Sequence, residues 1–258
     1  MSDCAALFAR MRGSGAELAV FTPSFAELCL CDRDFAEELM PRLRIFFFCG
    51  EVLKPATAEK LFTRFPKVRV INAYGPSECC CAVTAAEITR GMTDRALPIG
   101  DIGHTAGGVH ISDSSEIVIT GGSVARYIDT GGCHIGSGGF GEFDGERCFY
   151  TGDRGYVKDG MLYFGGRIDR QVKIMGCRVE PEDVENNILK TGLAGQAVVS
   201  AETLGGHTIL TALVKPRGGA DPAEIRRALS ELVPQYMVPR RITVVDNIPL
   251  SGNGKTKR

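Results

Sequence analysis

The sequence lacks net charge and long apolar runs. Its 258 residues carry 30 Lys and Arg against 31 Asp and Glu, a formal net charge of −1, so no nucleic acid or anionic membrane is expected as a partner. No run approaches the roughly 18 apolar residues of a membrane-spanning helix, so no direct membrane insertion is expected. The first ten residues, MSDCAALFAR, lack a basic stretch followed by an apolar core, which predicts no signal peptide and a cytoplasmic location.

Metal-type cysteine spacing is also absent. The chain has 10 cysteines and 4 histidines, but no C-x-x-C pair occurs. Cys79, Cys80 and Cys81 are adjacent, which suits neither a zinc knuckle nor an ordinary disulfide. The cysteine content is below the roughly 8–10% that marks a disulfide-stabilised scaffold. We therefore expect reduced thiols packed as small apolar residues.

Apolar periodicity indicates an α/β region over residues 1–95. Its runs LRIFFF (43–48) and VRVI (68–71) are typical of strands buried on both faces. A helix opened by Pro55 lies between them. This spacing of strand, helix and strand predicts a parallel sheet with right-handed crossovers.

The pattern changes twice after that region. Residues 96–168 contain short β runs between glycines, which predict a β-rich, mostly antiparallel or barrel-like subdomain. Residues 169–258 contain two strands, a helix, two more strands and a second helix, which predicts a separate small α+β domain. The last helix is opened by Asp221, and its apolar face is Ile225, Ala228, Leu229 and Leu232.

Two short segments look like nucleotide motifs but lack the required context. Gly136, Gly138 and Gly141 match G-x-G-x-x-G, but neither a strand before nor a helix after them is predicted, so residues 131–141 are interpreted as a flexible loop. Gly254-Lys255-Thr256 resembles the end of a phosphate loop. The position where that motif requires its first glycine holds proline, which excludes the motif.

The segment NAYGPSE (72–78) is the strongest candidate for a site. It directly follows a predicted buried strand, and open α/β sheets bind ligands at the carboxyl ends of their strands. An ordinary β-turn is the alternative, since Gly-Pro marks turns. The segment nevertheless offers an aromatic face, a hydroxyl and a carboxylate, which together can stack a base, contact a phosphate and hold Mg²⁺.

Four motifs resemble the signature of the adenylate-forming superfamily, which includes acyl-CoA synthetases, peptide-synthetase adenylation domains and luciferases. They are NAYGPSE (72–78), YTGD (150–153), GRIDRQVKIMG (166–176) and NGK (253–255), in the superfamily's order. Within the superfamily, the words TPSFAELCL, FFFCGEVL, AVTAAEIT and LPIG resemble those of D-alanine–D-alanyl carrier protein ligases. The resemblance implies the adenylate-forming fold and the use of ATP, with AMP formed, and of Mg²⁺.

The resemblance also implies a nucleotide site. Tyr74 would pack on adenine with Asn72 at the edge of the base, and Ser77 would contact the α-phosphate. Asp153 would accept hydrogen bonds from both ribose hydroxyls, a task that suits a carboxylate. Arg167 would lie near the ribose or phosphate. For Asp153 and Arg167 the alternative is a surface ion pair.

Catalysis and domain movement are carried over in the same way. Glu78 would bind Mg²⁺, a hard carboxylate for a hard cation. Lys255 would be the catalytic cation that lowers repulsion between the substrate carboxylate and the α-phosphate; outside this resemblance it would be solvated charge. Asp169 matches the hinge, and Gly176 ends the strand-turn that forms the thiol tunnel. Cys49 and Ile99 would line the pocket for the substrate methyl, with core packing as the alternative for the cysteine.

The resemblance implies a reaction in two steps. D-alanine and ATP first form D-alanyl-AMP and pyrophosphate. The D-alanyl group is then transferred to the phosphopantetheine thiol of a D-alanyl carrier protein, as in lipoteichoic acid D-alanylation. The resemblance starts about halfway along the family's length. The chain is therefore interpreted as the second half of such a ligase, with the N-terminal half of the fold missing. The isolated chain is expected to be inactive or nearly so, and able to self-associate through the surface left by that half. A fragment that activates another amino or carboxylic acid, and a non-catalytic module that binds AMP or the carrier, stay open.

Overall fold

The computed structural model of this chain describes residues 4–105, 107–125, 139–205 and 207–248. The chain divides into two units, Met1–Asp169 and Arg170–Arg258. Within the described ranges, no helix has the length and apolar character needed to cross a membrane.

The first unit begins with helices and strands in alternation. These elements are α1 Cys4–Ser14, β1 Leu18–Phe21, α2 Pro23–Leu30, β2 Ile45–Phe48, α3 Pro55–Arg64, β3 Arg69–Tyr74 and β4 Thr84–Ile88. The sheet order is β1-β2-β3-β4. The first three strands are parallel, as predicted, and the fourth strand, β4, which was not predicted, runs antiparallel to β3. The direct return from β3 through a short turn, without a crossover helix, accounts for the antiparallel strand.

Phenylalanine rings form the centre of the α/β core. Phe46 and Phe48 of β2 are fully buried, and the rings of Phe35 and Phe46 lie 5.0 and 5.1 Å from that of Phe65. Burying one such side chain stabilises a fold by about 1.5–3 kcal/mol. This packing fixes the carboxyl ends of β2 and β3, where the candidate residues lie.

Among the described residues, the two faces of this sheet are covered to different extents. The expectation that residues 43–48 form a strand buried on both faces is wrong, because β2 alternates between half-buried and buried positions. On the edge strand β1, Leu18 and Val20 are 51% and 65% exposed, whereas Ala19 between them is buried. The alternation of side chains along a strand places the two exposed residues on the same face.

The β-rich part of the first unit is antiparallel, as predicted. Its strands are β5 Gly100–Asp101, β6 Gly108–Ile111, β7 Glu116–Thr120, β8 Gly139–Phe143, β9 Glu146–Lys158 and β10 Met161–Arg167. They follow the order β5-β10-β9-β7-β6, with β8 also on β9. Within the described part of the chain this is an open sheet rather than a closed barrel.

Strand β8 corrects the interpretation of residues 131–141. Residues 131–138 lie outside the described residues, but Gly139–Phe143 is a strand and not part of a loop. It forms a hairpin with β9 through Asp144 and Gly145, whose φ angles are +50° and +79°. Two successive positive φ values are typical of the two-residue turns that join antiparallel strands, and this turn brings Gly139 and Gly141 into the sheet.

The second unit is an α+β domain with its own apolar cluster. Its elements are β11 Val172–Ile174, β12 Cys177–Val179, α4 Pro181–Lys190, β13 Ala194–Leu204, β14 His207–Pro216, α5 Pro222–Ser230 and β15 Arg241–Val244. The strand β15, which the sequence did not predict, pairs parallel to β14. Asp221 caps α5 in a reciprocal capping box with Glu224. The helix ends before Leu232, which is 51% exposed, so its assignment to the apolar face is wrong.

The cysteine expectation is correct in part. Among the cysteine side chains that the structure describes, none forms a disulfide, and Cys29, Cys79 and Cys148 are buried. Cys31, Cys80 and Cys81, however, are exposed, so packing as small apolar residues does not describe them. Cys80 and Cys81 matter at the site because they follow the NAYGPSE segment.

Candidate functional site

A tight turn follows β3 at its carboxyl end. Tyr74 is the last residue of the strand, and a short 3₁₀ helix, Ser77–Cys79, follows Pro76. The backbone N–H of Val83 donates to the carbonyl of Tyr74 at 2.8 Å. A Cβ on Gly75 would lie 2.9 Å from the nitrogen of Val83, so this position has no room for a larger residue.

Tyr74 and Arg167 hold the two oxygens of Asp153 between them. The phenol of Tyr74 donates to Oδ2 of Asp153 at 2.6 Å, and Nη1 of Arg167 donates to Oδ1 at 2.5 Å. Asp153 is buried, with 7% of its surface exposed. An ionised carboxylate has about four acceptor sites, so these two bonds leave acceptor capacity for a ligand hydroxyl. Two residues from separate sequence motifs thus converge on the carboxylate of a third motif.

Arg167 also pairs with Asp169 through a two-bond fork. Its Nε and Nη2 donate to the two carboxylate oxygens of Asp169, each at 2.6 Å. Gly152, with φ +72°, lies against this fork, because a Cβ there would be 2.8 Å from Nη2 of Arg167 and 2.9 Å from Oδ2 of Asp169. The guanidinium is therefore fixed by two carboxylates and by a position where only glycine fits.

Thr151 and Glu116 orient the strand around Asp153. The hydroxyl of Thr151 donates to the carbonyl of Ile117 at 2.8 Å and accepts from the backbone N–H of Asp153 at 3.1 Å. The N–H of Gly152 donates to Oε1 of Glu116 at 2.8 Å. Sequence reasoning did not assign these two residues. Thr151 lies within the YTGD motif, whereas Glu116 belongs to none of the four motifs.

The network shifts the acidity of its members. Burial raises the pKa of the Tyr74 phenol well above its ordinary value, and the negative charge of Asp153 raises it further. Burial lowers the pKa of Arg167, but the hydrogen bond to Asp169 and the charge of Asp153 outweigh it, so the pKa stands above the ordinary value. The network therefore consists of a neutral phenol and a permanent cation around carboxylate oxygens.

Ser77 and Glu78 lie one turn beyond Tyr74. Ser77 is exposed and Glu78 is half-buried. The carbonyl of Glu78 accepts from the N–H of Ala125 at 2.8 Å, which fastens the turn to the segment after β7. Among the described residues, no group of three His, Cys, Asp or Glu side chains could hold a metal ion. A single carboxylate fits Mg²⁺ only in the manner of a nucleotide site, where phosphates and water supply the remaining ligands.

The other first-unit candidates take different positions. Asn72 is 2% exposed, and its Nδ2 donates to the carbonyl of Pro98 at 2.8 Å, which fixes the segment before β5. Ile99 is buried in the apolar cluster of the β-rich part. The half-buried Cys49 follows β2, and its thiol donates to the carbonyl of Cys81 at 2.7 Å. Their roles toward base and substrate stay predictions.

In the second unit, Gly176 lies in the hairpin turn between β11 and β12. Met175 and Gly176 have φ +51° and +82°, and Met175 is 78% exposed. The turn therefore presents a bare apolar side chain to solvent. Its role in a thiol tunnel stays a prediction, and Lys255 lies outside the described residues.

Two family models match the chain. The AMP-binding enzyme model matches residues 2–125, and the model of the AMP-binding enzyme C-terminal domain matches residues 183–255. The chain belongs to the AMP-binding enzyme family. The family predicted from the four motifs is therefore confirmed.

Two curated relatives come from Bacillus species. The chain is 36% identical over 271 residues to a D-alanine–D-alanyl carrier protein ligase of Bacillus cytotoxicus, which covers 98% of this chain and 53% of the relative. It is 35% identical over 274 residues to a protein of the same name from Bacillus anthracis, covering 98% and 54%. The chain thus spans about half the length of the curated relatives it matches.

Solved structures confirm the predicted fold class. The adenylation domain AlmE of Vibrio cholerae, in complex with glycyl-adenosine-5'-phosphate, superposes with a TM-score of 0.80 at 23% identity, over 98% of this chain and 50% of that one. Holo-PA1221, a protein with adenylation and PCP domains, gives a TM-score of 0.79 at 24% identity, over 99% and 46%. At these identities the similarity shows the fold of adenylate-forming enzymes.

Proposed function

We propose that this chain carries the nucleotide-contacting surface of an ATP-dependent ligase that activates D-alanine as D-alanyl-AMP. The second step would transfer D-alanine to the phosphopantetheine thiol of a carrier protein, as in lipoteichoic acid D-alanylation. The names of the bacillus relatives support the substrate and the partner. The observation that carries the proposal is the convergence of Tyr74 and Arg167 on Asp153.

The proposed nucleotide contacts follow from this geometry. Asp153 accepts from ribose hydroxyls through its remaining lone pairs, while Tyr74 and Arg167 keep the carboxylate in one orientation. Adenine would stack on Tyr74, which is half-buried at the end of β3. The exposed Ser77 would donate its hydroxyl to the α-phosphate.

The first reaction joins two anions, a carboxylate and a phosphate ester. Cationic groups between them lower their repulsion and stabilise charge that develops on the α-phosphate. We assign this task to Lys255 and to Mg²⁺ held by Glu78 with phosphate oxygens. When bound, Mg²⁺ would neutralise part of the charge on the phosphates.

We assign the amino-acid pocket to Cys49 and Ile99 and the hinge to Asp169. The boundary between the two units falls directly after Asp169, which supports a movement there. The hairpin at Gly176 would face the carrier thiol in the second step. A cytoplasmic location fits a soluble carrier and ATP.

We also propose that the chain can associate with itself through β1. That strand is an edge of its sheet, and its Leu18 and Val20 are half or more exposed. Exposed edges and apolar faces of this kind favour contact with another chain.

The nucleotide proposal is tested by titrating AMP into the chain and into Asp153→Asn. The substitution removes the charge from a hydrogen bond worth about 1.5–3 kcal/mol, so AMP affinity should fall by about 10- to 100-fold. Asp159→Asn is the matched control, because Asp159 is exposed in the turn after β9 with φ +52°, and asparagine tolerates that conformation. Its AMP affinity should not change.

Equal AMP affinity of Asp153→Asn and the unchanged chain would contradict the proposed ribose contact. A second measurement uses the chain fused to the remaining length of a bacillus relative. If Asp153→Asn weakens AMP binding but this fused protein shows no amino-acid-dependent pyrophosphate exchange, the non-catalytic alternative is favoured. Exchange with other amino acids but not D-alanine would favour a different substrate.

A further inference from the structure

Cys49 and Cys81 approach each other at the carboxyl ends of β2 and β3. Cys49 follows β2, and Cys81 lies beyond the 3₁₀ helix Ser77–Cys79. The Sγ atom of Cys49 is 2.7 Å from the carbonyl oxygen of Cys81. Cys49 is half-buried and Cys81 is exposed, so a small solute can reach the pair from solvent.

The backbone holds this approach in place. Cys80 and Cys81 have φ +66° and +65°, a left-handed conformation that residues other than glycine rarely adopt. The N–H of Ala82 donates to the carbonyl of Cys80 at 2.8 Å, and that of Cys81 donates to the carbonyl of Pro76 at 3.1 Å. These bonds keep the Cys81 carbonyl turned toward Cys49, and such sparsely populated conformations cluster at functional sites.

We propose that Cys49 and Cys81 are a peroxide-sensitive dithiol whose oxidation links the end of β2 to the turn after β3. A carbonyl oxygen lies about 2.4 Å from its own Cα, so the Sγ of Cys49 is within about 5 Å of the Cα of Cys81. Disulfide-bonded residues have Cα atoms about 4.4–6.8 Å apart. The disulfide therefore requires the exposed Cys81 side chain to rotate until its Sγ meets that of Cys49.

The chemistry requires only hydrogen peroxide as the oxidant. The Cys81 thiolate attacks one peroxide oxygen, the O–O bond breaks, and Cys81 becomes a sulfenic acid while one water leaves. The Cys49 thiolate attacks the sulfenic sulfur, the S–S bond forms, the S–O bond breaks, and a second water leaves. In total, two thiols and one hydrogen peroxide give one disulfide and two waters.

The consequence for activity rests on the proposed function, in which Cys49 lines the amino-acid pocket. A disulfide to Cys81 would fix the Cys49 side chain toward the turn and lower amino-acid affinity. The formation of the bond itself does not depend on that assignment, so it is measured separately.

The test treats the folded chain with hydrogen peroxide, blocks remaining thiols with N-ethylmaleimide and digests with trypsin. Mass spectrometry should find the peptide of residues 45–60 joined to that of residues 70–90, two hydrogens lighter than their sum once the N-ethylmaleimide added to the other thiols is subtracted. The joined species should disappear in Cys49→Ser and in Cys81→Ser. It should persist in Cys80→Ser, the matched control, because Cys80 is equally exposed but its thiol is directed to the carbonyl of Ser123.

Folding provides the second readout. The joined species should form faster in the folded chain than in urea, because the fold holds the two residues together. Persistence of the joined peptides in Cys81→Ser, loss in Cys80→Ser, or equal rates in urea would each overturn the proposal. Failure of AMP or amino-acid binding would leave these mass measurements unchanged, so the two hypotheses fail separately.

Discussion

The phenol of Tyr74 lies 2.6 Å from Oδ2 of Asp153, a residue 79 positions further along the chain. This hydrogen bond joins the last residue of β3 in the α/β sheet to the middle of β9 in the antiparallel sheet. Both sheets therefore contribute to one polar network. Its integrity should affect both the stability of the first unit and the affinity for nucleotide.

Tyr74→Phe should remove this bond while keeping the ring. A hydrogen bond to a charged group contributes about 1.5–3 kcal/mol, so the free energy of unfolding in urea should fall by about that amount. The change should also remove the contribution of Tyr74 to the pH dependence of the free energy of unfolding. The pKa of Tyr74 is raised in the folded chain, whereas an unfolded tyrosine ionises near pH 10.

Because the folded form keeps its proton longer, the stabilisation is full below about pH 10 and decreases as the pH rises above it. Above about pH 10, the free energy of unfolding of Tyr74→Phe should decrease less steeply with pH than that of the unchanged chain. Tyr156→Phe is the control, since Tyr156 is 47% exposed and stacks on Tyr163. Identical pH profiles for all three chains would contradict the role given to Tyr74.

Arg167→Ala should destabilise the first unit strongly. Arg167 and Asp153 have side chains only 16% and 11% exposed, and removal of one partner leaves a buried carboxylate without its cation, at a cost of about 3–5 kcal/mol. Arg42→Ala is the control, because Arg42 and Glu17 form an exposed pair and surface pairs contribute little. Urea unfolding should give a clear loss for the first variant and almost none for the second. Comparable losses would refute the network as a source of stability.

Gly152→Ala should lower the free energy of unfolding more than the replacement of a glycine without close neighbours. The new Cβ would lie within 2.9 Å of atoms of both Arg167 and Asp169, so the fork between them must open. At Gly145 the φ angle is also positive, +79°, but no atom lies within 4 Å of a Cβ. Gly145→Ala therefore measures the backbone cost alone, about 1 kcal/mol.

The difference between these two variants in urea unfolding isolates the contact with the fork. Gly152→Ala should also weaken AMP binding, whereas Gly145→Ala should not. If the two variants lose equal stability and bind AMP equally, Gly152 is required only for its positive φ in β9 and not for its contact with Arg167 and Asp169.

The helices and parallel strands of the α/β part follow from local pattern. Pro55 opens α3, and Ala58, Leu61 and Phe62 form its buried side, as helical spacing predicts. The strand β4 could not be predicted in this way, since its sequence TAAEI has few β-branched or aromatic residues. Its conformation is set by pairing with β3.

For the candidate site, the motifs contain Tyr74, Asp153 and Arg167, but they do not show that these residues contact each other. Asp153 and Arg167 belong to different sequence motifs. Neither motif by itself shows that the guanidinium of Arg167 donates hydrogen bonds to both Asp153 and Asp169. Glu116 was missed because a carboxylate that accepts one backbone N–H leaves no spacing signal. Residues that act through tertiary contacts become visible only when the sheets are paired.

Val20→Lys should reduce self-association. Val20 is 65% exposed on the edge strand β1, and lysine on an edge strand opposes pairing with another strand. Leu204→Lys is the control, since Leu204 is 50% exposed in the second unit. Sedimentation velocity over a range of concentrations should show fewer oligomers for Val20→Lys alone. A monomeric unchanged chain, or equal effects of both variants, would contradict the β1 interface.

A polypeptide of these 258 residues should bind AMP but form acyl-adenylate very slowly. Tyr74 and Asp153 are the proposed contacts for base and ribose, but the chain spans about half the length of its bacillus relatives, so contacts that the remaining length would supply are absent from such a polypeptide. Each charge-assisted hydrogen bond contributes about 1.5–3 kcal/mol, and 1.36 kcal/mol corresponds to about tenfold in rate. Two or three absent contacts therefore lower the rate by several powers of ten.

Two measurements check this expectation. ATP and AMP should bind the chain with similar affinity in calorimetry, because the β- and γ-phosphates find few partners among these residues. Pyrophosphate release with D-alanine, ATP and Mg²⁺ should stay near background for the chain alone and rise when the remaining length of a bacillus relative is added. Rapid release by the chain alone would mean that its own residues supply the phosphate contacts, and tighter binding of ATP than of AMP would point to the same conclusion.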